Sequence, residues 1–427
     1  MKLEKEYDDE DLLQDLRLLI NFMDIYIDPL LELRKRVKAG TQTDIHFHEL
    51  WHLFHVGDDI TKSADLAKNH VRAFRILNVT GGRDILSPQL DPGGLIQKAN
   101  NGFIIDAYNL EFDGRHFGPR LHHFSIPKFQ GPRPIKSLPV FPLNWASTSK
   151  SPREHLLEQG QRYLDIISSS YSHKTFIGRT LDDSPEEIDA QVIVDVAMAL
   201  NRNPKWQTDL RYDESQLTAP DLRETRQQPH CKHTYEGCCG SDVIEPDLKQ
   251  SKTDLHQYLK VHGHRLGPLS AADLVDNDKV LLPDWVYGFV LRNRQWVAMQ
   301  TKDLFEVQYR NTFESLVLPK EYQQTVQALV VNHAKDASSE SQDKASLGSS
   351  IELVRGKGKG LIILLHGDPG VGKTSTAECV ADLTKRPLFP VTCGDIGETA
   401  SEVQTNLDSS FQLAHRWGCV LLLDEAE

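Results

Sequence analysis

Gly367-Asp368-Pro369-Gly370-Val371-Gly372-Lys373-Thr374 is the stretch that decides how this 427-residue chain is read. It satisfies G-x-x-x-x-G-K-[ST], and its flanks are of the kind that pattern needs. Before it, Gly360-Leu361-Ile362-Ile363-Leu364-Leu365-His366 is a continuous apolar run, which predicts a parallel strand buried on both faces. After it, Ser375, Ala377, Cys379, Val380 and Leu383 form a helical pattern. Strand, glycine-rich turn and helix N-terminus together make a cradle for phosphate. The glycines let successive backbone N–H groups curl around oxygen atoms, and the helix end adds partial positive charge. Lys373 would reach the β- and γ-phosphates as a point charge, and the Thr374 hydroxyl would ligate magnesium. Gly367, Asp368, Pro369, Gly370, Val371, Gly372 and Ser375 complete the expected binding loop, with Pro369 stiffening it and with ATP and Mg2+ as cofactors.

Downstream, Leu388-Phe389-Pro390-Val391-Thr392 reads as a second strand, and Thr399-Ala400-Ser401-Glu402 opens a helix by the capping-box pattern. Cys419-Val420-Leu421-Leu422-Leu423 is a third buried strand with Asp424-Glu425 at its carboxyl end, where open α/β sheets place their ligands. Alone, an apolar strand ending in two acids is a solvated strand end. Downstream of such a loop, Asp424 is expected to hold magnesium through water, and Glu425 to polarise the water that attacks the γ-phosphate.

These residues, together with Gly356-Lys357-Gly358-Lys359-Gly360, Ala377-Glu378-Cys379-Val380-Ala381, Arg386-Pro387-Leu388, Cys393-Gly394-Asp395 and Ala414-His415-Arg416-Trp417-Gly418-Cys419, resemble the fungal AAA-type ATPases of unassigned substrate. Those proteins carry a long N-terminal region of unknown function. The upstream half is similar too, through Leu50-Trp51-His52-Leu53-Phe54, Val79-Thr80-Gly81-Gly82, Phe112-Asp113-Gly114, Leu138-Pro139-Val140 and Gly288-Phe289-Val290-Leu291-Arg292. The resemblance implies ATP hydrolysis by a homo-oligomer whose arginine fingers come from a neighbouring subunit, and a protein client selected by the N-terminal region.

A complete AAA module also has further strands, a sensor asparagine, arginine fingers and a helical lid, whereas only Ala426 and Glu427 follow Glu425. The expected fold is therefore an α/β P-loop NTPase, as an incomplete AAA module, preceded by a β-rich α+β domain. We expect a fragment or truncated gene model with weak nucleotide binding and negligible turnover. In the resembling family a further strand lies between the P-loop strand and the Asp-Glu strand, so its loss would leave two strands short of a ladder partner. Unpaired buried backbone groups cost about 1 to 3 kcal/mol apiece, against a total stability of about 5 to 15 kcal/mol.

The rest of the chain divides by pattern. An amphipathic helix is expected within 1–43, from Leu12, Leu13, Leu16, Leu19, Ile20, Phe22, Met23 and Ile27, with Pro29 kinking it. Packing on its own domain is the favoured reading, and a partner-binding arm the alternative. A β-rich domain is expected over 44–215, with a hairpin turning at Asp113-Gly114 and a helix starting at Ser151-Pro152-Arg153-Glu154, where Ser151 would cap. A strand is read at Gln191 to Val196, and the stretch from Arg202 to Ser251 reads as loop. A polar Cys/His-containing linker follows over 216–280, then a hairpin and helix over 281–335, with strands at Val286 to Leu291 and Gln295 to Met299. A Ser-rich flexible linker is expected over 336–350, and the N-terminal part of the ATPase domain over 351–427.

Composition narrows the function classes. Basic residues number 48 against 61 acidic, a formal charge of -13, and no basic patch is segregated, so nucleic acid is an unlikely partner. No apolar run reaches the roughly 20 residues needed to span a bilayer, and the charged start Met1-Lys2-Leu3-Glu4-Lys5 is not a signal peptide. A soluble protein of the cytoplasm or nucleus is expected, its 6 cysteines being too few for a disulfide scaffold.

Two constellations compete. His48-Glu49-Leu50-Trp51-His52 matches H-E-x-x-H, but His55 stands where the longer zincin pattern has glycine, and packing is the favoured reading. His230, Cys231, His233, Cys238 and Cys239 offer five soft ligands, against which stands the poor geometry of two adjacent cysteines on one zinc. A function of another class also remains: a non-catalytic interaction protein with a remnant nucleotide-binding segment.

Overall fold

The computed structural model describes residues 10–67, 71–82, 102–146, 151–182, 184–218, 241–309, 313, 316, 320–339, 360–368 and 370–424. Pro369, Glu425, the five-residue Cys/His group and the Ser-rich segment from residue 340 onward lie outside them. The chain divides into two compact units, residues 1–168 with 200–284, and residues 169–199 with 285–427.

The first unit opens on a helix broken by proline chemistry. Helix α1 (Glu10–Phe22) passes through a π turn (Met23–Ile27) into α2 (Asp28–Lys38). Pro29 has no N–H, and its ring would crowd the carbonyl four residues back. The helix widens just before it, so that the Asp28 N–H donates to Met23 O. Leu33 and Val37 are buried, whereas Leu18, Leu19, Ile20, Phe22, Met23, Ile25, Tyr26, Leu30 and Leu31 are exposed and Ile27 is half-buried.

An antiparallel sheet follows: β1 (Asp59–Lys62), β2 (Phe74–Gly81), β3 (Phe103–Phe112), β4 (Phe117–Ile126) and β5 (Val140–Pro142), in the order β4-β3-β2-β1-β5. The hairpin expected at Asp113-Gly114 joins β3 to β4, with Phe103 opposite Ile126 and Phe112 opposite Phe117. Asp113 Oδ1 accepts from the N–H groups of Arg115 and His116, and Gly114 takes φ 93°, open to glycine.

Helix α3 (Pro152–Ile167) starts with Pro152 in its first turn as expected, but the Ser151 side chain makes no capping bond. Gly160 sits inside α3 where a Cβ would lie 2.2 Å from Lys279 O, so the helix touches the 276–279 turn through a bare backbone. The polar stretch read as loop, Arg202 to Ser251, ends inside α4 (Ser241–His262), whose first half it contains. Its anchors lie beyond that stretch: Leu255 is buried, and Tyr258 shares a hydrogen bond of 3.1 Å with Tyr108 of β3.

The second unit holds another antiparallel sheet of β6 (Ser172–Arg179), β7 (Glu187–Val194), β8 (Trp285–Val290), β9 (Gln295–Gln300) and β10 (Leu304–Glu306), ordered β9-β8-β7-β6-β10. Strand β7 covers most of the strand expected at Gln191 to Val196, and β8 with β9 is the second expected hairpin. Helix α5 (Lys320–Ser339) runs into the first residues of the expected Ser-rich linker. Helix α6 (Lys373–Thr384), β11 (Leu388–Val391), α7 (Ala400–Arg416) and β12 (Val420–Leu423) follow, with β11 and β12 parallel. The Thr399 box forms as read: Thr399 Oγ1 accepts from the Glu402 N–H, and Glu402 Oε2 accepts from the Thr399 N–H.

Two hydrophobic clusters bind this unit together, the first of them aromatic. Phe289 of β8 stacks on Phe389 of β11 at 5.7 Å, and Trp417, just past α7, meets Phe289 at 5.2 Å and Trp296 at 5.8 Å. On the other side, Phe313 and Val330 pack on Cys379 and Val380 of α6.

A further expectation fails. Gly360–His366 is not a strand, and Ile362 is 92% and Leu364 89% exposed. An apolar run becomes a buried parallel strand only beside a paired neighbour. Strand β12 pairs with β11, and among the described residues no named strand lies along its other edge, so the run has no ladder to join.

Candidate functional site

The loop ending at α6 is shaped by backbone conformation before side chains enter. Gly370 and Gly372 take φ 84° and 91°, the left-handed region that L side chains rarely adopt. A Cβ on either would meet nothing within 4 Å, so the requirement for glycine is conformational and the space beside the loop is open. Gly372 is the N-cap of α6 and supplies no capping side chain, which leaves the first N–H groups of the helix for another acceptor.

Lys373 folds back over the loop, its Nζ donating to Gly367 O at 2.7 Å and Asp368 O at 3.1 Å. These bonds hold the ammonium over the glycine turn. Thr374 and Ser375 are exposed in the first helical turn. The Thr374 hydroxyl donates across 3.4 Å to Asp424 Oδ2, from the end of β12. Asp424 is placed by the sheet: its N–H donates to Val391 O at 2.9 Å, extending the β11–β12 ladder by one rung. Two residues 50 apart in the chain are thus brought together by a helix start and a strand end. A hydroxyl and a carboxylate at this separation are the oxygen pair that a hard divalent cation takes, directly or through its waters, so the donor set fits Mg2+.

Sequence reasoning passed over the residues that brace this site. Buried Thr376 donates through both its N–H and its Oγ1 to Gly372 O, each at 2.9 Å, tying the loop to the helix. Its position just after the Lys-Thr pair is the only signal the sequence offers. Asp195, between β7 and the following helix, is almost wholly buried. It accepts from Arg416 Nε at 2.6 Å and Trp417 Nε1 at 2.9 Å, at the turn that launches β12. Arg294, at the β8–β9 turn with φ 54°, forms an ion pair with Asp395.

The H-E-x-x-H stretch is occupied otherwise. Phe47–His52 is a 3-10 helix, in which residues three apart align, so His48 and His52, four apart, do not share a face. Glu49 Oε2 accepts from the His46 N–H at 2.8 Å as part of a capping box. Burial holds the His52 imidazole below its ordinary pKa. Among the described residues, no three His, Cys, Asp or Glu side chains are arranged to hold a metal ion.

Residues 363–427 match the sequence model of the ATPase family associated with various cellular activities (AAA), and residues 35–147 match a domain of unknown function, DUF7025. The chain thus holds a segment that matches part of its length to the AAA ATPase domain, which points to a P-loop NTPase, behind a β-rich N-terminal region; ATP binding and hydrolysis are general to the AAA family. No curated protein and no solved structure matches the chain. No helix among the described residues is long and apolar enough to cross a membrane.

Proposed function

We propose that the loop from Gly367 to Ser375 binds ATP with Mg2+, and that in the full-length, assembled protein ATP hydrolysis remodels a protein client held by the domain over residues 44–215. The observation that carries this reading is the approach of Thr374 Oγ1 to Asp424 Oδ2, beside a loop whose lysine ammonium donates to the Gly367 and Asp368 carbonyls. Lys373 exchanges those carbonyls for β- and γ-phosphate oxygens, so little is lost when the ammonium turns outward. Backbone N–H groups from Gly370 to Thr374 and the α6 N-terminus orient the phosphates. Thr374 and Asp424 hold the magnesium, which neutralises phosphate charge when bound. Glu425, next after Asp424, takes the role of the base that polarises the attacking water. Turnover also needs a cation that stabilises the departing phosphoryl group, which in AAA assemblies a neighbouring subunit supplies.

Thermal unfolding tests the binding step. ATP is expected to raise the midpoint of the second unit in the presence of Mg2+, and Thr374→Ala to lose the magnesium-dependent part of the rise. Equal midpoints with and without Mg-ATP would refute the reading.

The exposed Gly360–His366 run favours a second reading, an interaction protein that retains the segment without catalysis. A longer version of this polypeptide that binds ATP saturably but releases no phosphate at any protein concentration would select it.

A further inference from the structure

The helix from Glu10 to Lys38 carries a run of exposed large apolar side chains. Leu18, Leu19, Phe22, Met23, Ile25 and Tyr26 are each between 47% and 64% exposed, within nine consecutive positions. Contiguous exposed patches of this kind mark interaction sites. The C-terminal end is anchored, with Leu33 3% and Val37 8% exposed, so α2 fixes the helix to its unit while α1 and the π turn carry the uncovered side chains.

The charge along this helix identifies the occupant. Residues 10–24 hold Glu10, Asp11, Asp15 and Asp24 against Arg17, a net of -3. Residues 25–38 hold Arg34, Lys35, Arg36 and Lys38 against Asp28 and Glu32, a net of +2. Laid antiparallel on itself, the helix sets its acidic half against the basic half of the other copy, twice over, by the two-fold symmetry of an isologous contact. A parallel arrangement would set like against like at both ends, which is unfavourable for flanking charges. An anionic membrane surface would meet the acidic half first and be repelled.

We propose that α1, the π turn and α2 form a docking surface for a second copy of this chain, paired antiparallel through the apolar face around Leu19 and Met23. The pairing is independent of the nucleotide site and goes beyond the function proposed for it.

Sedimentation velocity of the full chain across a concentration series, without nucleotide, tests this. The unaltered chain is expected to dimerise. Asp15→Lys with Asp24→Lys turns the first half from -3 to +1, and Arg34→Glu with Lys35→Glu turns the second from +2 to -2. Each double variant alone is expected to weaken the dimer at least tenfold, and an equimolar mixture of the two to restore it as a heterodimer. Restoration by mixing distinguishes lost pairing from lost folding. A chain that stays monomeric throughout, double variants that dimerise as well as the original, or a mixture that fails to recover would each overturn the proposal.

Discussion

Asp195 Oδ2 accepts from Arg416 Nε at 2.6 Å, joining two residues 221 positions apart in the chain. The same carboxylate takes the Arg416 Nη2 at 3.1 Å, the Trp417 indole N–H at 2.9 Å and, through Oδ1, the Met198 N–H at 2.9 Å. Arg416 ends α7 and Trp417 opens the turn into β12, so a residue far upstream of the AAA match braces the strand that presents Asp424. The Arg416 side chain is partly exposed and its bond to Asp195 raises the guanidinium pKa, whereas the Asp195 side chain is fully buried.

Removing that carboxylate leaves the Trp417 N–H and the Arg416 fork without their acceptor. Asp195→Ala is expected to destabilise the second unit by about 2 to 4 kcal/mol, and Asp195→Asn by about half as much because one acceptor stays. Urea unfolding followed by tryptophan fluorescence measures both, Trp417 being its own reporter. A loss below about 0.5 kcal/mol, the range of ordinary surface changes, would mean that the bonds carry no net stability.

Gly160→Ala sets two effects against each other. Alanine favours helix over glycine by roughly 1 kcal/mol, but here its Cβ would sit 2.2 Å from Lys279 O and 2.9 Å from Lys279 C. Backbone cannot yield as a flexible side chain does, so overpacking wins and the variant is expected to lose about 1 to 3 kcal/mol. A higher melting midpoint for Gly160→Ala would show that α3 does not press on the 276–279 turn.

Acid should weaken both units. Burial, reinforced by Lys62, Arg120 and Arg72, pushes the pKa of His122 down to about 3, and burial pushes that of His173 down to about 4. A histidine kept neutral in the fold binds fewer protons than it does unfolded. Its stabilising contribution is therefore complete above the unfolded pKa of about 6.5 and is lost as pH falls from there toward the folded value. Each pH unit in that window costs up to about 1.4 kcal/mol per group. Urea midpoints at pH 7 and pH 5 are expected to differ, and His122→Asn to flatten the difference for the first unit. An unchanged slope in that variant would place the acid sensitivity elsewhere.

Local chemistry made much of this legible in the sequence. Asp113-Gly114 set a hairpin because its side chain and its glycine serve one turn, and Thr399 with Glu402 set a helix start by satisfying each other's backbone. The left-handed turn at Gly372 and the helix start after it were readable for the same reason, since the loop is a short-range object. What the sequence hid was non-local. Gly360–His366 has the composition of a strand, but a strand exists only with a partner. Leu255 and Tyr258 anchor α4 from beyond its polar part, and Asp195 looked like any acid at a strand end until Arg416 and Trp417 closed on it.

Calorimetric titration of Mg-ATP into the intact chain, beside the Lys373→Ala variant, tests the central claim that the backbone from Gly367 to Thr374, with one ammonium, encloses a triphosphate. Saturable binding that weakens at least tenfold in the variant, with the unfolding midpoint unchanged, is the expected result. Absence of saturable binding in the original chain, or equal affinity in both, would contradict it.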